Sequence, residues 1–216
     1  PITDYIYDPK FIFKTKHHND RTRTFCTNKG GKVRIEPEAG KGFHLVNGDA
    51  LKNFKTPNTN FAILNTIELT EPYADTLEMG RDIAKETLRL GGGRPLVQRM
   101  GDFLDGRRSK MATFFDASKG YDLVKPTLSV GSAVIPGDIS LAYRCRIMDN
   151  IRDSLVVLDK IVPGVANPAT LLYAPEIKFY DTKYDTTPEL ETNMNNLFIA
   201  GDGVGKSRGI IGAALT

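Results

Sequence analysis

The order of secondary-structure signals along this chain predicts an α+β fold. As far as Leu69 the chain holds short segments rich in aromatic and β-branched residues, separated by turn-forming residues. Helical patterns then dominate as far as Ile161. Near the carboxyl end, an apolar run, a glycine-rich loop and a second apolar run predict a single strand–loop–helix unit. We therefore expect a mixed, β-rich domain with about three helices, followed by this isolated unit.

Composition and charge narrow the class of protein. The chain has 216 residues, of which 40% are hydrophobic and 25% charged, as in a soluble globular protein with a sizeable core. The net charge of +3 is small and its cations are scattered, which gives no support for nucleic acid or an anionic membrane as partner. Without an apolar run of about 18 residues or a signal peptide, we predict a cytoplasmic protein with no membrane partner.

Five strands are predicted in the first part of the chain. They are Phe11–Phe13, Thr22–Cys26, Lys32–Ile35, Gly42–Val46 and Asn60–Leu69. The last contains an apolar run from Phe61 to Leu64 that leaves neither face polar, so we expect it to be a central strand.

Three helices are predicted next. Asp75 followed by Glu78 is typical of a capped helix start, and Gly91 to Gly93 ends the helix. Pro95 suits the first turn of a second helix, which extends to about Asp105. Apolar residues at helical spacing predict the third from Ile147 to about Ile161.

Two regions beside these helices carry weaker signals. Residues 110–137 have mixed polarity and no sustained period, so we expect irregular structure there. Leu171–Tyr173 and Ile177–Tyr180 are predicted as strands on either side of Pro175, which favours a turn, an edge or a bulge.

The glycine-rich loop near the carboxyl end is the main functional signal. Leu197–Ala200 is predicted as a strand, Gly201 to Gly209 as the loop, and Ile210 onward as a helix. Such a unit brings backbone N–H groups and a helix N-terminus to an anionic or polar ligand, and Asp202 is placed to accept hydrogen bonds from hydroxyl groups.

Three interpretations of this loop compete. Residues Ala200 to Ser207 fit a relaxed nucleotide-triphosphate motif, with Ala in place of the first Gly, but only nine residues follow Ser207 to supply the magnesium-binding acid on a later strand. The second interpretation is the carboxyl-terminal flavin contact of an FAD enzyme, which we favour because it belongs at this position. The third is a connector in a non-catalytic interaction domain.

Several stretches along the chain resemble one family. They are residues 24–31 (TFCTNKGG), 56–62 (TPNTNFA), 95–102 (PLVQRMGD), 136–140 (PGDIS) and 196–213. Together they resemble the carboxyl-terminal part of the NAD(FAD)-utilising, FAD-dependent dehydrogenases, which have the glutathione-reductase-type flavoprotein fold. The resemblance covers nearly the whole chain in the family's order.

The resemblance implies a division of the chain into two parts. Residues 1–190 would form an inserted cap or substrate domain, and residues 191–216 the last strand–loop–helix of a split, Rossmann-like FAD-binding domain. No G-x-G-x-x-G motif for the ADP part of FAD occurs in these residues, so the rest of that domain would lie N-terminal to Pro1. We expect a fragment that is inactive and retains little FAD alone.

The resemblance also assigns cofactor contacts in the tail. The positions that it places near FAD are Gly201, Asp202, Gly203, Gly205, Gly209, Ile210 and Ile211. The full-length protein would transfer hydride between flavin and a small-molecule substrate or NAD(P)H, and the substrate itself is not indicated.

Catalytic residues are weakly indicated. A thiol beside a flavin can relay electrons, which makes Cys26 a candidate, although a small core residue explains it more simply. Gln98 is polar between apolar neighbours and is expected to face a cleft. Arg99 suits an anionic substrate or a nucleotide phosphate, while a solvated helix end explains it equally well. No metal site is expected, since His17 and His18 lack a third ligand at useful spacing.

Overall fold

The chain forms two compact units, Pro1–Ile177 and Lys178–Thr216. The computed structural model describes residues 8–38, 42–73, 75–178, 184–206 and 210–215. Within these residues there are eight strands in several small sheets and four α-helices, so the fold class is α+β, as predicted.

The first unit begins with two antiparallel sheets. One has the strand order β1–β2–β5 and the other pairs β3 with β4. Their bounds are β1 Ile12–Lys14, β2 Arg21–Lys29, β3 Lys32–Glu38, β4 Phe43–Asp49 and β5 Thr59–Thr66. All five predicted strands are confirmed. The expectation of a central strand at Asn60–Leu69 is wrong, because among the described strands β5 pairs with β2 alone and lies at the edge of its sheet.

Helix α1, Thr76–Leu90, follows the prediction closely. The Asp75 carboxylate accepts hydrogen bonds from the backbone N–H groups of Leu77, at 2.9 Å, and Glu78, at 2.8 Å. This satisfies two of the donors that a helix start leaves without intrahelical partners. At the other end, the N–H of Gly91 donates to the carbonyl of Thr87 at 3.1 Å.

The second predicted helix, Pro95 to Asp105, is largely wrong. Leu96–Arg99 form a strand, β6, and only Met100–Leu104 are helical, as α2. Strand β6 pairs in parallel with β7, Ile135–Pro136, and antiparallel with β8, Leu171–Ala174. All four residues of β6 are buried, so strand pairing on both sides overrides the local helix-start signal at Pro95.

The core of the first unit lies on both faces of β6, because alternate residues of a strand point to opposite sides. Leu96 packs in the larger cluster, with Met100, Phe103, Ile139, Met148, Leu155 and Ala174. Val97 packs in a smaller cluster with Phe114 and Val134. Two members of the larger cluster, Met148 and Leu155, come from helix α3, Cys145–Asp159, which confirms the third predicted helix.

The remaining predictions in this unit have mixed outcomes. Residues 110–137 hold short 3₁₀ turns and the two-residue strand β7, as their irregular pattern indicates. Strand β8 confirms the prediction at Leu171–Tyr173. Ile177 and Lys178, predicted as strand, have no regular structure, and residues 179 and 180 lie outside the described residues.

The second unit has little regular structure in its described part. Leu197–Ala200, predicted as a strand, contains one antiparallel bridge, from Phe198 to Glu191. A strand needs a neighbour along its whole length, and here the pairing ends after one residue pair. Helix α4, Ile210–Leu215, follows the glycine loop. None of the helices described in either unit has the length and apolar character needed to cross a membrane.

Candidate functional site

The glycine loop of the second unit forms a tight reversal from Gly201 to Lys206. Gly201 has φ +104° and Gly205 has φ +71°, both in the region that side chains disfavour. An antiparallel bridge joins Gly201 to Lys206 and closes the reversal. The carbonyl of Gly201 accepts hydrogen bonds from the N–H groups of Val204 and Lys206, each at 3.3 Å. Both backbone donors are thus directed into the turn itself.

The outer side of this turn is open at Gly203. Asp202–Val204 form one turn of 3₁₀ helix, and Gly203 is exposed. A Cβ atom added to Gly203 would meet no atom of the described part of the chain within 4 Å. The turn therefore presents bare backbone to its surroundings at this position, where another molecule can approach closely.

The remaining predicted cofactor contacts lie at the end of the loop. Ile210 is 91% exposed and Ile211 is 77% exposed, at the start of α4. Gly209 lies outside the described residues. Helix α4 has only six residues, so its dipole adds little to ligand binding.

Gln98 lies in β6 of the first unit and is fully buried. Its Nε2 donates to the carbonyl of Arg107 at 2.8 Å, and its Oε1 accepts from the N–H of Ile139 at 3.0 Å. The side chain therefore does not face a cleft as expected. It joins the loop at Arg107 to the turn at Ile139.

Arg99 is the next residue of β6 and is also fully buried. Its guanidinium donates to three carbonyls, those of Phe114 at 3.2 Å, Val124 at 2.8 Å and Ala169 at 2.6 Å. It also lies over the rings of Phe114 and Tyr121, 4.5 and 5.2 Å from their centroids. Burial lowers the pKa of Arg99 from its usual value. The expectation of a solvated helix end is wrong.

A chain of polar side chains extends from Arg99. The backbone N–H of Arg99 donates to Oγ of Ser109, which donates to Oδ2 of Asp102, both at 2.8 Å. The hydroxyl of Tyr121 donates to Oδ1 of Asp102 at 3.3 Å. Burial, together with the Asp102 charge, raises the pKa of Tyr121, which keeps the phenol protonated as a donor.

We call these four residues, Arg99, Ser109, Asp102 and Tyr121, the Arg99 network. Sequence reasoning did not include Ser109 or Tyr121. Their signal is weak, because Ser109 follows the predicted helix and Tyr121 lies in residues 110–137, where the sequence has no sustained period. Each member is buried, and the guanidinium of Arg99 bonds to carbonyls of the surrounding loops, so the network holds these loops in place. Asp102 also lies 3.7 Å from Nη2 of the exposed Arg107.

Cys26 lies in a third location, at a β-bulge in β2. Phe25 pairs with Ala62 and Asn28 with Asn60, so two residues of β2 face one residue of β5. Cys26 has φ +48° and is exposed, so it is not the packed core residue that the simpler explanation required. The structure brings Gln98 and Arg99 together in one strand, with their side chains on opposite faces.

One cleft on the first unit contains none of the predicted site residues. Its volume is about 320 Å³, and it lies between α1 and residues 142–144, with charges of both signs in its walls. Among the described residues, no group of His, Cys, Asp or Glu is placed to hold a metal ion. The chain matches no protein-family model and no curated protein.

Proposed function

We propose that this chain is part of an FAD-dependent oxidoreductase, in which the turn from Gly201 to Lys206 and the start of α4 contact the flavin. Residues 1–190 would form the cap or substrate domain. The electron donor would be NAD(P)H or a small-molecule substrate. The motif resemblance and the geometry of the turn support this proposal.

The observation that carries the proposal is the open backbone at Gly203. Its neighbours Gly201 and Gly205 have positive φ, so the chain reverses tightly on either side of it. An added Cβ at Gly203 would enter empty space, which fits a position where a flat cofactor lies against the backbone. The ligand that the turn from Gly201 to Lys206 would accept is a planar or extended polar group.

The same turn is a poor fit for a nucleotide triphosphate. A triphosphate loop directs successive N–H groups outward at the phosphates. Here the N–H groups of Val204 and Lys206 both donate to the carbonyl of Gly201. Between the nucleotide-triphosphate and the flavin interpretations of this loop, the geometry therefore favours the flavin.

When bound, FAD supplies the hydride chemistry. The protein's part is to bind and orient the cofactor and to shape the substrate site. Asp202, in the turn, would accept hydrogen bonds from the ribityl hydroxyl groups. The Arg99 network would keep the cap rigid from within, since none of its members is exposed.

The test is the substitution Gly203→Ala, with FAD content of the full-length protein as the readout. The added methyl group meets no atom of the described residues within 4 Å, so a loss of FAD with an unchanged melting temperature reports contact with the cofactor. We expect Gly203→Ala and Asp202→Ala each to lower the FAD content, with an unchanged melting temperature. Residues 1–216 alone should be colourless, because they contain no G-x-G-x-x-G motif.

Lys206→Ala is the matched control in the same turn. The flavin proposal expects it to leave FAD content unchanged, whereas a triphosphate site would lose magnesium-dependent ATP binding. If Gly203→Ala and Asp202→Ala both retain full FAD, the turn is only a connector and the proposal is wrong. A flavin absorption band from residues 1–216 alone would contradict the split cofactor site.

A further inference from the structure

Two segments that are distant in sequence meet at one edge of the first unit. They are residues 28–34, around the turn from β2 to β3, and residues 49–58, from the end of β4 to the loop before β5. The N–H of Thr56 donates to the carbonyl of Gly30 at 2.9 Å, and its Oγ1 donates to the carbonyl of Gly31 at 2.5 Å. These bonds fix the loop against the turn.

We call the surface formed by these two segments the basic face, because its charge is concentrated. Its cationic residues are Lys29, Lys32, Arg34, Lys52 and Lys55. The single carboxylate, Asp49, pairs with Arg34 at 2.9 Å. Five cations less one anion leave a net charge of +4, against +3 for the whole chain. Folding thus gathers cations that are scattered in the sequence.

An exposed aromatic ring lies among these cations. Phe54 is 52% exposed, and Nζ of Lys32 lies 5.3 Å from the centroid of its ring. A large exposed phenyl ring held beside a cation is a surface on which a flat group can stack.

Lys55 reaches the same place because Gly30 has no side chain. A Cβ atom at Gly30 would lie 2.8 Å from Cδ of Lys55, so the stem of Lys55 lies across the turn. Gly30 also has φ +63°, which suits glycine. Glycine at this position therefore suits the backbone conformation and leaves room for the aliphatic part of the Lys55 side chain.

We propose that the basic face binds a nucleoside phosphate, with its phosphate groups at Lys32, Lys52 and Lys55 and its base stacked on Phe54. Phosphate needs several cations close together, and the base needs one exposed ring. Both are present here within two short segments. If the proposed function is correct, the natural ligand is the nucleotide part of the NAD(P)H donor, and that role rests on the proposed function.

The size of the basic face favours a single nucleotide over a polymer. Single-stranded nucleic acid is bound along a basic groove with successive aromatic platforms. The basic face offers one ring, Phe54, and along β3 its charge ends at Glu36, two residues after Arg34. Its extent thus matches one base and its phosphates.

The experiment measures binding of ADP, inorganic phosphate and a single-stranded oligonucleotide to the full-length protein by calorimetry. The variants are Phe54→Leu and the double substitution Lys52→Ala with Lys55→Ala. Phe54→Leu removes the stacking surface, so it should weaken ADP binding about tenfold and leave phosphate binding unchanged. The double lysine variant should weaken the binding of both ADP and phosphate. The control is Lys85→Ala, which removes one exposed lysine from helix α1 and should change neither.

Absence of ADP binding, or equal ADP binding in all variants, would overturn the proposal. Tighter binding of the oligonucleotide than of ADP, with strong salt dependence, would replace it with a polymer site. FAD content, measured on the same samples, separates the two proposals. If the protein has normal FAD content but does not bind ADP, only the nucleotide site on the basic face is refuted. If it binds ADP but contains no flavin, the nucleotide site stands and its role in binding an electron donor is refuted.

Discussion

The Arg99 network and the turn from Gly201 to Lys206 differ in how far their polar groups are buried. In the network, each side chain is buried and held by several protein groups, and the guanidinium alone reaches three carbonyls. In the turn, Gly203 is exposed and an added Cβ atom would contact none of the residues that the structure describes. Burial with several hydrogen bonds makes a rigid support, although Nη2 of Arg99 has no hydrogen-bond partner among the described residues. Exposed backbone makes room for another molecule. The difference predicts that substitutions in the network change stability and those in the turn change binding.

Arg99→Met should cause the largest loss of stability. It removes the donor to the buried carbonyls of Phe114 and Ala169 and to the partly buried carbonyl of Val124, at a cost of about 3–5 kcal/mol in the free energy of unfolding. Urea denaturation measures this loss. Arg89→Met on helix α1 is the control, because Arg89 is 77% exposed and its removal should cost less than about 1 kcal/mol. Equal losses would mean that the network is not a support.

Ser109→Ala should have the next largest effect. Oγ of Ser109 connects the Arg99 backbone to Asp102, and its loss leaves one buried donor and one buried acceptor without a partner. We expect a cost of about 1–3 kcal/mol, seen as a lower urea midpoint with an unchanged slope. Ser132→Ala, at an exposed serine, should stay within about 0.5 kcal/mol of the native value. A similar small change at Ser109 would remove it from the network.

Asp20 gives a smaller effect that depends on pH. Its carboxylate accepts hydrogen bonds from Nε and Nη2 of Arg146, each at 2.6 Å, and from Asn150 at 2.7 Å. The Arg146 hydrogen bonds lower its pKa below the usual 3.8, against the opposing effect of burial. The unfolded chain then binds the proton more tightly, so this stability is present above pH 3.8 and is lost as the pH falls through the lowered folded value.

Asp20→Asn tests this sign directly. The variant should be less stable than the native protein at neutral pH, and should lose less stability between neutral and strongly acidic solution. The loss at neutral pH should be smaller than that from Ser109→Ala, because Arg146 is about half exposed and water screens the pair. Parallel stability curves for the two proteins would contradict the assignment of the shift to Asp20.

Local signals explain which elements the sequence predicts correctly. Helix α1 begins at a capping Asp75 and ends before Gly91, and both signals lie within the segment itself. Strand β6 has no such local signal. Its partners, β7 and β8, come from residues about 40 and 75 positions further along, so only the folded chain shows that Leu96–Arg99 is a strand.

The candidate sites follow the same rule. The glycine turn was predicted because its residues are contiguous, and Gly201 and Gly205 do adopt positive φ. The Arg99 network needs Ser109 and Tyr121, whose approach to Asp102 depends on how an irregular segment folds back. The basic face is also invisible in the sequence, because its cations lie in two segments, residues 28–34 and 49–58, that are separated by 14 residues of the chain.

The smallest expected change in stability separates two glycines of the same turn. Gly201→Ala forces a side chain into a backbone with φ +104°, which should cost about 1 kcal/mol locally. The N–H groups of Val204 and Lys206 donate to the Gly201 carbonyl, so their hydrogen exchange should speed up about fivefold. Gly203→Ala should leave these exchange rates unchanged, because its φ is not positive and its methyl group meets no atom. If Gly203→Ala also accelerates exchange, its loss of FAD would reflect a distorted turn. Gly203 would then support the structure of the turn, like the buried Arg99 network, and would not be an open position for a ligand.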